Sequence, residues 1–229
     1  MFNPFIYALL GGILPALVWL AFWLREDKKN PEPRGLIRKT FLLGMLAVVL
    51  VLPFQKGVEM IFGEIALTAI VFWAIFEEVF KFCAGYFGGL HTVEDNEPID
   101  PIIYMITAAL GFVALENTLF LLGPILGADL TQSIVTGNLR FIGASLLHVV
   151  ASGIVGVGLA FSFYKSKLAK TMTLIFSLAA AIIFHVIFNM LIISHGNRGT
   201  TIAFFMVWGG VVALLLMFEK AKSIAPRTY

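Results

Sequence analysis

Ile102-Ile103-Tyr104-Met105-Ile106-Thr107-Ala108-Ala109-Leu110-Gly111-Phe112-Val113-Ala114-Leu115-Glu116-Asn117-Thr118-Leu119-Phe120-Leu121-Leu122-Gly123 has Glu116 as its only charged side chain and contains no proline. A helix needs roughly 20 predominantly apolar residues to cross the ~30 Å hydrocarbon layer of a bilayer. The stretch therefore predicts a transmembrane helix, and the rest of the chain repeats the pattern. Of its 229 residues, 59% are hydrophobic and 13% charged, and the mean hydropathy is +0.94, beyond what soluble domains carry. With short connections there is room for about seven such spans and for no extramembrane domain of useful size. The expected fold is all-α, a polytopic transmembrane helix bundle forming one domain over residues 1–229.

Hydropathy and breaker residues place the helices near Pro4–Leu24, Thr40–Val58, Ile65–Leu90, Ile102–Gly123, Arg140–Tyr164, Thr171–Ser194 and Thr201–Phe218. Pro53, Gln55 and Lys56 interrupt the second, and the stretch from Glu59 to Glu64 is ambiguous. Residues 1–24 hold no Lys or Arg, and the first basic cluster follows the apolar run instead of preceding it. That is the reverse of a secretory signal peptide, so the segment is expected to stay as a helix. The helices carrying polar residues show no interior proline, and no internal repeat is visible, so broken-helix transporter architecture is not signalled. Ser152, Gly153, Gly156 and Gly158 predict close helix contact.

Basic residues mark the topology. Arg25, Lys28, Lys29, Arg34, Arg38 and Lys39 follow the first helix, Lys165, Lys167 and Lys170 the fifth, and Lys220, Lys222 and Arg227 the last. The other side holds Lys56, Arg140 and Arg198. The positive-inside rule then puts the N-terminus out and the C-terminus in the cytoplasm. The net charge of +2 is spread along the chain, which excludes the clustered basic face of a nucleic-acid binder. A single cysteine, Cys83, excludes an intrachain disulfide and reads as helix packing.

An ionisable side chain at mid-bilayer costs ~2.5–3.5 kcal/mol even on the lenient insertion scale, so each needs a partner, a cavity or a task. In Phe76-Glu77-Glu78-Val79-Phe80-Lys81, the lysine reaches Glu78 at i,i+3 and Glu77 at i,i+4. A plain buried ion pair would use one glutamate and leave the other alone. The second carboxylate is then available to accept a proton, as a general base does. Glu116 is another carboxylate deep in an apolar run, and His148 stands alone on the fifth helix. His185 and Asn189 are four apart, which points an imidazole and an amide to one side, where both could donate to a developing oxyanion. His91 and His195 fall at helix ends and read as solvated. With 1.5 Å of rise per residue, Glu116, His148 and His185 sit roughly 10–15 Å below the outer face and Glu77 and Glu78 about 20 Å below it. One shared site in the outer half is expected.

These residues form motifs. Glu77-Glu78-x-x-Lys81, Gly111-Phe112-x-x-x-Glu116-Asn117, the isolated His148 and His185-x-x-x-Asn189 together resemble the PrsW family of bacterial intramembrane proteases, distant relatives of the CAAX-processing membrane proteases. Glu97-Pro98-Ile99-Asp100-Pro101-Ile102-Ile103-Tyr104 is similar to the family's lead-in, with Pro101 where glycine is usual, and Glu32-Pro33 also fits. The CAAX proteases carry histidine where this chain has Glu116. The resemblance covers roughly residues 20 to 195 and implies a catalytic core of about 65–194. It implies peptide-bond hydrolysis in or near a bacterial plasma membrane, by water activated on glutamate. The implied partner is a membrane-anchored protein such as a single-span anti-sigma factor, cut on its extracytoplasmic side.

On this reading Glu77 or Glu78 is the general base, assisted by Glu116 or His148. His185 and Asn189 would stabilise the oxyanion, with Lys81 and Asn117 in support. No cofactor is favoured. A zinc-dependent version would use Glu78, Glu116, His148 and His185, since two histidines and a carboxylate make a hydrolytic metal site, although HExxH is lacking. The same buried residues would also suit a transporter or proton relay, or an inactive relative acting as a membrane scaffold.

Overall fold

The computed structural model describes residues 3–63, 66–127, 129–194 and 196–225, which form helices and no strand. Glu64, Ile65, His195 and Arg227, used above, lie outside the described residues. The helices are α1 (Pro4–Trp23), α2 (Arg34–Phe62), α3 (Leu67–Gly85), α4 (Asp100–Leu126), α5 (Leu130–Leu139), α6 (Ser145–Phe161), α7 (Lys167–Ser194) and α8 (Gly196–Ala221). Wide π-helical turns extend α3 over Tyr86–Leu90 and join α5 to α6 over Arg140–Ala144, so α5 and α6 form one rod. Six helices among the described residues are long and apolar enough to cross a membrane: α1, α2, α4, the α5–α6 rod, α7 and α8. The seventh, α3, carries Glu77, Glu78 and Lys81, all buried.

Several boundaries differ from the sequence expectation. α2 starts at Arg34, because Pro33 supplies the carbonyl that accepts from the Leu36 and Ile37 amides, and the basic residues of its first turns sit on a helix and not in a loop. It also continues through Pro53 to Phe62. α4 runs past Gly123 and takes in Pro124, so one helix bearing a buried carboxylate does contain a proline. The missing amide falls in its last turn, where little helix remains to be broken. Residues 130–139 are helical, capped by Asp129, whose side chain accepts from the Gln132 amide at 2.8 Å. Arg140 is therefore not an outer-loop residue but part of the rod.

The bundle closes around α4, which packs against α1, α2, α3 and α6 and is buried along most of its length. Small residues permit this. A Cβ on Gly44 of α2 would collide with the Ala108 carbonyl, and one on Gly111 of α4 with the Phe41 carbonyl, so the two backbones touch reciprocally. On the opposite side, a Cβ on Gly156 of α6 would stand 2.7 Å from Ile102 Cα, while Gly153 faces Leu214 and Gly158 faces Ser177. The outer faces of α1, α7 and α8 expose Phe5, Val18, Phe176, Ile183, Phe205 and Leu216. Apolar surface on this scale is a liability in water and the normal boundary in lipid.

A second set of buried carboxylates ties the loop after α1 to the start of α4. Asp27 accepts from the Glu32 amide (3.1 Å), Glu32 accepts from the Tyr104 hydroxyl, and Asp100 accepts from the Asn96 and Glu97 amides at 2.8 and 2.7 Å. Lys222, just past the end of α8, approaches but is bonded to Glu26 and Glu219. Burial, reinforced by Asp100 and Asp27, pushes the Glu32 carboxyl from its ordinary 4.5 up to about 8, and burial raises Asp27 to about 6. A raised folded-state value means that the native state holds the proton more tightly than the unfolded chain. Glu32 thus contributes stability that is full below about 4.5 and lost as pH rises through about 8. The melting temperature in detergent is expected to fall across that window, and Glu32→Gln, which keeps an acceptor for Tyr104, should flatten the decline. Equal slopes in both proteins would refute this account of the cluster.

Candidate active site

The cluster is assembled from α2, α3, α4, the α5–α6 rod and α7. On α3 the lysine chooses between its two glutamates: Lys81 Nζ donates to Glu78 Oε1 at 2.6 Å. It also reaches His148 Nδ1 at 2.8 Å and lies 5.3 Å from the centre of the Phe112 ring. Lys81 is wholly buried and Glu78 nearly so, so the pair would be costly without the imidazoles that complete it. Glu77 has a different holder, Gln55 of α2, whose Nε2 donates to Glu77 Oε1 at 2.8 Å. The Trp73 indole in turn fixes Gln55 through its backbone carbonyl at 3.2 Å. Gln55 reads in the sequence as an interruption beside Pro53; its role depends on a contact between helices, which spacing along one helix does not reveal.

The imidazole tautomers follow from these partners. An ammonium can only donate, so His148 Nδ1 accepts from Lys81 and its proton sits on Nε2, facing Glu116 Oε2 at 3.3 Å. Glu78 Oε1 already accepts from Lys81, so His185 Nδ1, 2.6 Å away, donates to it. The lone pair of His185 Nε2 is left facing Glu77 Oε2 at 3.7 Å. The two rings lie 5.1 Å apart, edge to face. With this tautomer His185 spends its N–H on Glu78, which leaves Asn189 as the amide donor of the pair. Asn189, one turn along, lines the cavity described below.

Arg140 completes the group and was missed by sequence reasoning. Its Nη2 donates to Glu116, its Nε to Asn117 Oδ1 at 2.5 Å, and its guanidinium carbon lies 3.8 Å from the Phe120 ring centre. Asn117 donates onward to Ser145 at 3.2 Å, and Ser145 to the Arg140 carbonyl at 2.8 Å. Asn117 thus braces the rod and not the cavity. The available signal is a lone basic residue between Leu139 and Phe141. Three carboxylates, Glu77, Glu78 and Glu116, now face two fixed cations, Lys81 and Arg140. Neutrality calls for one more positive charge: a mobile proton or a bound cation.

A cavity of about 900 Å³, at the large end for binding sites, is lined by Glu77, Glu116, Arg140, His148, His185 and Asn189 among many apolar side chains. Glu77 Oε2 is buried and has no hydrogen-bond partner among the described residues. It stands 3.7 Å from His185 Nε2 and 4.0 Å from His148 Nδ1, and donor atoms of these three residues lie within 4.8 Å of one another. Both separations exceed a hydrogen bond and fall within two ligand bonds of ~2.0–2.2 Å. Two imidazoles and a carboxylate therefore fit a zinc-type ion. The triad differs from the set expected from sequence, since Glu77 replaces Glu78 and Glu116. Glu78 is committed to Lys81 and His185, and Glu116 to Arg140. Elsewhere, His91 is exposed and contacts the Tyr86 carbonyl, Cys83 is a free, half-buried thiol, and Tyr104 of the lead-in lies about 18 Å down α4 from Glu116.

Carboxylates and imidazoles gathered inside a membrane bundle and open to a large apolar cavity are the layout of an intramembrane hydrolase. The sequence model of the PrsW-protease family, described as "PrsW family intramembrane metalloprotease", matches residues 32–219. The chain belongs to this family of intramembrane proteases. It is similar to Protease PrsW of Halalkalibacterium halodurans, 27% identical over 190 residues that cover 81% of this chain and 83% of that protein. Protease PrsW of Geobacillus kaustophilus is 27% identical over 222 residues (94% and 92%), and that of Oceanobacillus iheyensis 28% over 213 (90% and 92%). No solved structure matches the chain.

Proposed function

We propose that this chain cleaves a membrane-anchored protein by water activated on Glu77, within a catalytic core of about residues 65–194. The reading is carried by Glu77 Oε2, a buried carboxylate oxygen beside the cavity and between two imidazoles, with no hydrogen-bond partner among the described residues. Glu77 takes a proton from water as the oxygen adds to the scissile carbonyl carbon. The His185 Nε2 lone pair accepts the water's other hydrogen and directs the attack. The Asn189 amide donates to the resulting oxyanion. Glu77 then returns its proton to the amide nitrogen, the C–N bond breaks, and an amine and a carboxylic acid leave. Glu78 with Lys81, and Glu116 with Arg140, are positioning residues that hold the imidazole tautomers. The proposed substrate is a single-span protein of the anti-sigma-factor kind, in a bacterial plasma membrane. The basic residues support an N-terminus outside and a C-terminus in the cytoplasm even with Arg140 removed from the loop count.

A second reading rests on the Glu77, His148 and His185 triad and on the word metalloprotease in the family's description. Those three residues would hold a zinc-type ion, which when bound supplies Lewis-acid polarisation and a more acidic water. Glu78 would then orient His185 through its Nδ1–H, as carboxylates commonly do for histidine ligands. Lys81 decides the order of preference, because its ammonium occupies His148 Nδ1 and a cation there would have to displace it.

Co-reconstitution of the purified chain with a single-span substrate separates the readings. Cleavage that persists after chelation, in protein without stoichiometric metal, is the expected result. Loss on chelation with recovery on zinc would establish the second reading instead. Proton flux without any cleavage would overturn both.

A further inference from the structure

We infer that Arg140 is a substrate-binding residue whose unused guanidinium donors hold a backbone carbonyl of the peptide in the cavity, an inference that rests on the protease reading above. Three observations meet at this residue. The first is donor accounting: a guanidinium has five N–H groups, and among the described residues only Nε and Nη2 have acceptors, Asn117 and Glu116. Both hydrogens of Nη1 have no protein acceptor there.

The second is location. Arg140 lines the same cavity as Glu77 and His185, with about 15% of its side chain exposed. Its charge is opposed by Glu116 and its face covered by Phe120, so the group is held rigidly while one edge is left open. A fork fixed in this way loses little entropy on engaging a ligand. The third is the backbone. The π-helical turn at Arg140–Ala144 interrupts the rod where the side chain must leave it, and such turns inside α-helices recur at functional sites.

Charge selects the class of ligand. Glu116 already balances Arg140, so a carboxylate ligand would meet the repulsion of Glu116, whereas a carbonyl oxygen uses the open N–H groups and adds no charge. An extended peptide brought into an apolar cavity has backbone carbonyls that must find donors there. In the described structure Arg140 Nη1 and the Asn189 amide can meet that need.

The test measures binding apart from chemistry. In the inactive Glu77→Gln background, the affinity for the intact single-span substrate in detergent is expected to fall about ten- to a hundred-fold on adding Arg140→Gln, as for loss of a hydrogen bond to a charged group. With Glu77 intact, Arg140→Gln should raise KM by a similar factor, and kcat falls as well because Glu116 loses the cation that holds it beside His148. Arg140→Lys keeps a charge opposite Glu116 but loses the second amino group, and should bind with intermediate affinity. If Arg140→Gln does not fold, Arg140→Lys carries the test, with weakened binding as support. Unchanged affinity in the folded variant, whatever its kcat, overturns the inference and leaves the protease reading intact. Full cleavage by Glu77→Gln would strike the mechanism while leaving the binding result for Arg140 to stand by itself.

Discussion

Replacing Glu77 by glutamine is expected to lower kcat for substrate cleavage by about 10²–10⁴-fold, the range attributed to a positioned general base, with KM little changed. The substitution is nearly isosteric. A carbonyl oxygen can still accept from Gln55, as Oε1 does now, so the side chain should keep its place. What disappears is the oxygen that has no protein partner and takes the proton. Stability should hold or rise, because one of three carboxylates facing two cations is removed. Glu77→Asp retains the base but withdraws it by one methylene, and should keep part of the rate. Activity within ten-fold of the native level in Glu77→Gln would sink the assignment. Zinc content measured on the same sample adds a control: the glutamate reading expects no change, whereas the triad would lose a ligand and its ion.

How much of this was visible beforehand depended on whether a feature is local. The buried helix α4 could be read from its length and apolarity, and the polar positions on α3, α4, α6 and α7 stood out because a membrane makes each of them costly. Their similar depths were compatible with a single site, but depth does not fix which way each side chain points. Which glutamate serves Lys81 could not be read either, since i,i+3 and i,i+4 both lie within reach. Gln55, arriving from α2, breaks the tie by engaging Glu77. Arg140 was hidden for a related reason. The polar stretch Thr131–Asn138 lowers hydropathy enough to suggest a loop, and a π-helical turn leaves no period in the sequence. The tautomers of His148 and His185 depend on Lys81 and Glu78, which lie 67 and 107 positions from them in the sequence.

Lys81→Met is expected to destabilise the protein by roughly 3–5 kcal/mol, the cost of removing one partner from a buried ion pair. The lysine is fully buried, its ammonium nitrogen lies 5.3 Å from the Phe112 ring centre, and it satisfies both Glu78 and His148. Methionine fills a similar volume, so the effect reports charge and not a cavity. Without the ammonium, Glu78 keeps only the His185 donor, while its other oxygen already has no partner. Three carboxylates then face Arg140 alone. Adding Glu78→Gln to Lys81→Met removes the uncompensated charge and should recover much of the loss, giving a coupling energy well outside additivity. Activity should not return with stability, because no donor remains to hold His148 with its proton on Nε2, and Glu78 no longer orients His185. Thermal unfolding of the single and double variants in detergent, set beside their cleavage rates, separates the two roles. A single variant as stable as the native chain would mean that the pair is not what holds α3 to α6 and α7.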